Sequence, residues 1–153
     1  MEGSYGCVQA PVDKQGRVKL PLGFSAAVLP ERFVFVTADP RRRFLEVRSE
    51  AAFAALADRV RGAAAGLPPD AAAALVTEYL GGAHRALVDD AVRVALPGRF
   101  RDVVPGPEAV LVAVGDAVLV WDRAGYESGQ PERLSAIAAG APGLDPVLLD
   151  IAR

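Results

Sequence analysis

A twelve-residue stretch near the start of the chain occurs a second time, and this repeat constrains the fold more than any other feature. The first copy, residues 13–24, reads DKQGRVKLPLGF, and the second copy, residues 89–100, reads DDAVRVALPGRF. Both follow the skeleton Asp, three residues, Arg-Val, one residue, Leu-Pro, two residues, Phe. So many matches at one constant offset indicate an internal duplication, in which two similar halves share one core.

Each copy begins with a tight turn after a strand. Residues 5–12 are typical of a strand, and residues 13–16 of a three-residue hairpin loop with a bulge, in which Gly16 adopts positive φ without steric cost. In the second copy Val92 stands at the position of Gly16. Because a β-branched residue tolerates positive φ poorly, the second turn is predicted to differ in conformation.

The residues after each turn alternate between apolar and charged types. Val18 and Leu20 are predicted to face the core, with Arg17 and Lys19 on the opposite face. A proline then ends each strand and favours the first turn of a short helix. Val94 and Leu96 repeat the inward pattern, and further strands are predicted at residues 33–37, 44–47, 110–114 and 117–121.

Two helices are predicted between the copies. Ser49 is a plausible N-cap for a first helix, which Gly66-Leu67-Pro68-Pro69 ends, and Asp70 is a plausible N-cap for a second helix that runs to Leu80. Beyond Tyr126 the Gly, Pro, Ser and Ala content predicts a loose connection before a segment that is either a short helix or mobile. Four parts result: a first half (1–48), a helical connection (49–81), a second half (82–126) and a C-terminal tail (127–153).

Composition excludes several classes of function. The 153 residues carry a net charge of −2, with one cysteine and one histidine, so bulk coating of nucleic acid, a disulfide framework and a metal site are all disfavoured. The chain shows no signal peptide and no apolar run of the roughly 18 residues that a membrane span needs. It also shows no nucleophile with its base. We therefore expect a cytoplasmic protein that is not an enzyme and has no cofactor, metal, membrane partner or small-molecule substrate.

The doubled motif resembles that of the MraZ family, bacterial transcriptional regulators of the division and cell-wall gene cluster. The residues that carry the resemblance are Asp13 with Arg17 and Asp89 with Arg93, each pair followed by an apolar residue, any residue, and Leu-Pro-x-x-Phe. Residues 110–115 and 120–122 also resemble that family's second half, and the similarity covers residues 5–126.

The resemblance implies a fold, an assembly and a partner. The implied fold is α+β, mainly β: a duplicated AbrB-like swapped-hairpin β-barrel with two helices between the halves. The implied assembly is a ring-shaped homo-oligomer, nucleoid-associated in the cytoplasm, that binds repeated promoter boxes in double-stranded DNA through the Asp-x-x-x-Arg loops. Departures from the family pattern mark a divergent member: Val92 replaces glycine, Ser25 stands where an Arg commonly follows the first Phe (Arg101 follows the second), and residues 128–131 interrupt the expected C-terminal helix.

The candidate DNA-binding residues lie in and beside the two turns. The first copy has three cations and one anion, whereas the second is neutral, so the first loop is the stronger anion site. The second loop either contacts DNA or is structural. Lys14, Gln15, Arg17, Lys19 and Arg93 are the predicted DNA contacts, and Asp13, Gly16 and Asp89 are predicted to structure the turns.

Two alternatives remain open from the sequence. The Asp and Arg of each motif could simply stabilise a hairpin, and the protein could be a ring-forming structural or interaction protein that has lost DNA binding. The run Arg41-Arg42-Arg43 favours a solvated hairpin tip over a phosphate site, because the matching turn at Gly115-Asp116 is about three residues shorter and lacks such charge. When the alignment of the two halves is shifted by this difference in turn length, Arg48 of the first half aligns with Trp121 of the second.

Overall fold

Short apolar stretches between residues 4 and 123 form β-strands that make up most of the core. The computed structural model describes residues 4–21, 23–24, 32–140 and 142–152. The chain divides into two units, Met1–Arg123 and Ala124–Arg153. The fold is α+β, mainly β, as predicted. The described strands are β1 (Ser4–Pro11), β2 (Arg17–Lys19), β3 (Phe33–Ala38), β4 (Leu45–Arg48), β5 (His84–Leu87), β6 (Arg93–Ala95), β7 (Glu108–Gly115) and β8 (Ala117–Asp122).

The strands form a six-stranded antiparallel sheet, in the order β1-β7-β8-β4-β3-β5, and a two-stranded sheet of β2 and β6. In the two halves β1 corresponds to β5, β3 to β7 and β4 to β8. Exchanging each strand for its counterpart gives the same order read in reverse. The first strand of each half lies beside a strand of the other half, β1 against β7 and β5 against β3. The ladders of the described residues do not close into a barrel, so the barrel remains a prediction.

The turn after β1 closes as predicted, but the strands on either side of it pair elsewhere. The backbone N–H of Asp13 donates to the carbonyl of Arg17 at 3.0 Å. The ladder partner of β2 is β6, where Val18 lies directly opposite Val94. Sequence periodicity predicted the inward residues correctly, since Val18 and Val94 are only 2% and 1% exposed, but periodicity carries no information on which strands pair.

The first helix confirms its predicted cap. Helix α1 spans Glu50–Ala64, and the side chain of Ser49 accepts a hydrogen bond from the backbone N–H of Ala52 at 3.2 Å. The apolar face of α1 buries Leu56 and stacks Phe53 on Phe35 of β3 with ring centroids 4.5 Å apart. Helix α1 therefore packs on the face of the sheet that is turned away from the β2–β6 core.

The second helix begins one residue before the predicted cap. Helix α2 spans Pro69–Ala74 and continues directly as a π-helix over Leu75–Leu80. The N-cap position is Pro68, which makes no side-chain cap bond, so the prediction of Asp70 as the cap is wrong. Pro69 at the first helical position supplies a backbone already set for a helix, and Asp70 lies in the first turn, where its charge favours the helix dipole.

Short helical turns were predicted after both prolines that end β2 and β6. A 3₁₀ helix, Gly98–Phe100, follows Pro97 and confirms the second prediction. Gly23 and Phe24 are helical after Pro21. Ser25 lies outside the described residues.

The C-terminal unit is helical, and the predicted loose connection is wrong. Helix α3 spans Arg123–Ala139 with Pro131 inside it, and α4 spans Leu144–Ile151. Arg133 donates to the backbone carbonyl of Tyr126 at 2.8 Å and lies over its ring, so one side chain ties together the turns on either side of the proline. No single described helix is long and apolar enough to cross a membrane; α3 and α4, bent by 85° at their junction, reach that length and composition only as a pair.

A buried polar cluster lies on β4, where the sequence indicated only a strand. Glu46 and Arg48 are 7% and 9% exposed, and their carboxylate and guanidinium are 3.0 Å apart. Glu46 Oε1 also accepts hydrogen bonds from the hydroxyls of Thr37 and Tyr79. Burial, followed by the hydrogen bond to Glu46, raises the pKa of Tyr79 to about 12. The cluster therefore joins the π-helix to the centre of the sheet.

Removing the Glu46 carboxylate is expected to destabilise the fold strongly, because it leaves the Arg48 charge buried without its partner. We expect Glu46→Leu to lower the free energy of unfolding by about 3–5 kcal/mol, measured by urea denaturation. The double variant Glu46→Leu/Arg48→Met removes both charges and should recover most of this loss. A double variant no more stable than the single variant would contradict this account of the cluster.

Candidate nucleic-acid interface

Each Asp-x-x-x-Arg turn is organised by its own aspartate. Asp13 Oδ1 accepts hydrogen bonds from the backbone N–H groups of Gln15 and Arg17 at 2.9 and 2.8 Å. The N–H of Gly16 donates to the Asp13 carbonyl at 2.9 Å. In the second turn the same bonds are made to Asp89 by Ala91 and Arg93, at 3.0 and 2.8 Å, and by Val92, at 2.9 Å.

The two turns have the same conformation, so the predicted difference between them is wrong. Val92 adopts φ of 60°, close to the 77° of Gly16. Strain of this kind costs about 1–3 kcal/mol and persists only where the surroundings enforce it. The surroundings enforce it here. The Asp89 side chain accepts hydrogen bonds from the backbone of its turn, and the Val92 carbonyl accepts one from the backbone N–H of Leu20 at 2.9 Å. In the first turn the Gly16 carbonyl accepts the equivalent bond from Leu96 at 2.8 Å.

The pairing of β2 with β6 brings the two motifs together in one charged cluster. Arg17 Nε donates to Asp13 Oδ2 at 2.7 Å, and Arg93 Nε donates to Asp89 Oδ2 at 2.9 Å. Each arginine also approaches the aspartate of the other motif, with Nη1 3.9 Å from its Oδ2. The arginine side chains are 33% and 36% exposed, so both guanidinium groups reach solvent from a fixed position.

Hydrogen bonding keeps both aspartates of this cluster ionised. The pKa of Asp13 is lowered first by the hydrogen bond from the backbone N–H of Arg17. Desolvation, the next largest effect, opposes this, and the Arg17 guanidinium lowers the pKa further. The pKa of Asp89 is lowered in the same way by Arg93. The two carboxylates and two guanidinium groups of the cluster therefore carry no net charge together, and the neighbouring cations lie around them.

The other predicted contact residues surround this cluster. Lys14 and Gln15 are exposed at the tip of the first turn, and Gln15 Oε1 lies 3.5 Å from Arg17 Nη2. Lys19 is exposed on β2 directly opposite Arg93 on β6. All the residues predicted from the sequence thus meet around one strand pair.

The Arg41-Arg42-Arg43 run forms an exposed hairpin tip between β3 and β4, as predicted, and two of its arginines also make ion pairs. Arg43 Nε lies 2.8 Å from Asp39 Oδ2, and Arg42 Nη2 lies 2.8 Å from Asp102 Oδ1. Burial alone would raise the pKa of Asp39, but the hydrogen bonds and charge of Arg43 outweigh it, so the pKa is lowered. Two of the three arginines are therefore paired with carboxylates, while all three remain exposed.

No group of metal-ligating side chains gathers within the described residues. His84 lies on β5, and its pKa is lowered by burial and then by the charge of Arg99. This environment favours the neutral imidazole.

No protein-family model matches the chain, and none of the curated proteins matches it significantly. The resemblance to the MraZ family therefore stays a prediction from the sequence motifs.

The lowered pKa values of Asp13 and Asp89 predict loss of stability in acid. In the unfolded chain an aspartate titrates near pH 3.9, so a lower pKa in the folded state contributes stability above that pH that is lost as the pH falls through and below it. We expect the melting temperature of the wild type to exceed that of Asp13→Asn/Asp89→Asn at about pH 6, and the gap to narrow towards about pH 3. Asp58→Asn, an exposed site on α1, is the control; a gap that does not change with pH would contradict the prediction.

Proposed function

We propose that the protein is a sequence-specific, DNA-binding transcriptional regulator of the MraZ type. The observation that carries this proposal is the assembly of both Asp-x-x-x-Arg turns on one strand pair, with Lys14, Lys19 and both arginines reaching solvent around it. The partner is double-stranded DNA, and the proposal includes no catalytic step and no cofactor. The cytoplasm and the nucleoid follow as the place of action.

The strand order supports the fold that belongs to this proposal, a duplicated AbrB-like arrangement with swapped hairpins. Each half places its first strand beside the hairpin of the other half, and the halves share the β2–β6 pair at their centre. The reversal of strand order on exchanging the halves fits a duplication, and the equal turn geometry fits it as well. Helices α1 and α2 lie between the halves in the chain.

The cluster supplies what the reading of a base edge requires. Arginine commonly recognises guanine through two parallel hydrogen bonds in the major groove. In both motifs the Nε atom is occupied by the aspartate of the same turn, which fixes the side chain and leaves Nη1 and Nη2 with only long contacts. Lys14 and Lys19 are suited to phosphates, which position a protein on the duplex without reading its sequence.

One observation favours a second candidate, a ring-forming structural or interaction protein without DNA binding. The charges of Asp13, Arg17, Asp89 and Arg93 cancel within the cluster, and the whole chain has a net charge of −2. If the two arginines serve only to join the halves, their loss will reduce stability without an effect on DNA. Measurement of both quantities on the same variants separates the two functions.

Loss of the Arg17 side chain is expected to weaken binding to the DNA upstream of the protein's own gene. The cost should be roughly 1–3 kcal/mol per subunit if Arg17 meets a base edge. Arg93→Ala should cost less, because its loop has no net positive charge. Fluorescence anisotropy across a salt series measures both, with Arg61→Ala on α1 as the control for a lost positive charge. Equal DNA affinity of Arg17→Ala and wild type, with both folded, would favour the structural candidate.

The modest charge of one loop predicts that several subunits act together. About three phosphate contacts give a log–log salt slope near −3, which is too shallow for tight binding by one subunit. Linked loops on adjacent repeats raise the avidity by roughly 10²–10⁴. We therefore expect a homo-oligomer by light scattering, and a salt slope several times the single-loop value on duplexes with two or more repeats. A monomer that binds one repeat as tightly as three would contradict this prediction.

A further inference from the structure

Arg32 belongs to the first half of the chain, but its side chain reaches the turn of the second half. It immediately precedes β3, and its carbonyl accepts a hydrogen bond from the backbone N–H of Val88 at 2.9 Å. Its guanidinium makes an ion pair with Asp90, the second residue of that turn. The side chains of Arg32 and Asp90 are 53% and 94% exposed. Because Asp90 is almost fully exposed, the guanidinium bonded to it lies at the surface, open to a partner from solution.

The backbone of Arg32 is strained, and the strain fixes its place beside the second turn. Its φ of 61° lies in the left-handed region, which residues other than glycine seldom adopt. Strain of this kind persists only where the surroundings enforce it, and it is frequent at functional sites. Here the pairing of β3 with β5 continues through the bond to the Arg32 carbonyl and holds the residue in position.

The two turns obtain a positive charge at the tip in opposite ways. Lys14 occupies in the first turn the position that Asp90 occupies in the second. The carbonyl of Pro107 accepts a bond from the backbone N–H of Val12 at 2.8 Å, which corresponds to the bond made to the carbonyl of Arg32, so Pro107 is the counterpart of Arg32. The first turn therefore has a cation of its own and an uncharged neighbour, whereas the second has an anion of its own and a cationic neighbour.

We infer that Arg32 is the phosphate-binding residue of the second loop and takes the part that Lys14 has in the first. This inference rests on the proposed function. Residues 89–100 carry no net charge of their own, and Arg32 adds one positive charge beside them. The first loop, with a net charge of +2 over residues 13–24, remains the stronger of the two.

The ion pair with Asp90 does not prevent this role. An exposed ion pair adds little to stability, whereas arginine binds phosphate through charge-assisted hydrogen bonds that are stronger than neutral ones. A phosphate oxygen of the DNA backbone can therefore replace the Asp90 carboxylate or bind beside it. In the unbound protein Asp90 keeps the guanidinium at the tip of the turn.

The test replaces Arg32 with methionine, which keeps an unbranched stem and removes the charge. Binding is measured by fluorescence anisotropy on the full-length protein over a salt series, with the duplex upstream of its own gene and a scrambled duplex of equal composition. Loss of one phosphate contact should reduce the salt slope by about 0.9 per subunit, so the ratio of wild-type to variant affinity should change about eightfold for each tenfold change in salt. Both duplexes should be affected equally, because a phosphate contact carries no sequence information.

A second pair of variants separates phosphate binding from simple neutralisation of Asp90. The same measurement compares Asp90→Asn with the double variant Arg32→Met/Asp90→Asn. If Arg32 contacts a phosphate, the double variant should have a salt slope smaller by the same amount, about 0.9 per subunit. Equal slopes for these two variants would show that Arg32 only cancels the Asp90 charge, and would overturn the inference.

Arg59→Met is the matched control. Arg59 is also an exposed arginine near an aspartate, since its Nη2 lies 4.0 Å from Asp116 Oδ2, but it lies on α1 and outside both motifs. Its replacement should leave the salt slope unchanged. An equal fall in slope for Arg59→Met and Arg32→Met would reveal an effect of overall charge and would also overturn the inference.

Failure of the inference can be told apart from failure of the proposed function. An unchanged slope in Arg32→Met, while Arg17→Ala loses binding, would remove the role of Arg32 and leave the proposed function standing. A wild type that binds neither duplex would reject both.

Discussion

The pairing of β2 with β6 is the interaction on which the rest of the structure depends. Each strand has only three residues, and a pair this short is not stable by itself in water. It persists because Val18 and Val94, directly opposite each other, lie in the centre of the apolar core. Since one strand comes from each half, neither half can complete this core alone. The stability of the charged surface above the pair is thus tied to folding of the whole first unit.

This constraint places two flexible arginine side chains in fixed positions. Arginine loses much side-chain entropy when it binds a partner, and a side chain that is already held loses less. Asp13 and Asp89 hold Arg17 and Arg93 through Nε, while the backbone bonds of the same carboxylates hold the turns. The ordering of each arginine is therefore completed during folding, and its terminal nitrogen atoms meet a partner without further loss of that freedom.

Local patterns predicted most of the elements, whereas features that depend on distant contacts were missed. Alternation placed Val18 and Val94 inside, and the type of residue at position 49 marked the start of α1. The conformation of Val92 could not be predicted, because local steric preference opposes it and the Asp89 bonds override that preference.

The remaining differences have the same origin. Composition after Tyr126 favoured a loop, yet Arg133 bridges the turns around Pro131 within a continuous helix. The buried pair of Glu46 and Arg48 carries no sequence signal, since charged residues in a short strand are usually exposed. The motifs predicted which residues belong to the candidate site. Their assembly into one cluster depends on the pairing of β2 with β6, and so does the position of Arg101 beside Gly16.

The two halves are alike in backbone and unlike in chemistry, and this difference bears on how the surface works. On β4, Glu46 and Arg48 bind the π-helix to the sheet, while their counterparts on β8 are Leu119 and Trp121. At the loops, the first turn has glycine and a net positive charge, whereas the second has strained Val92 and no net charge. Under the proposed function, a surface of this kind would approach DNA in one orientation, since its two loops are equal in shape but only the first carries a net positive charge.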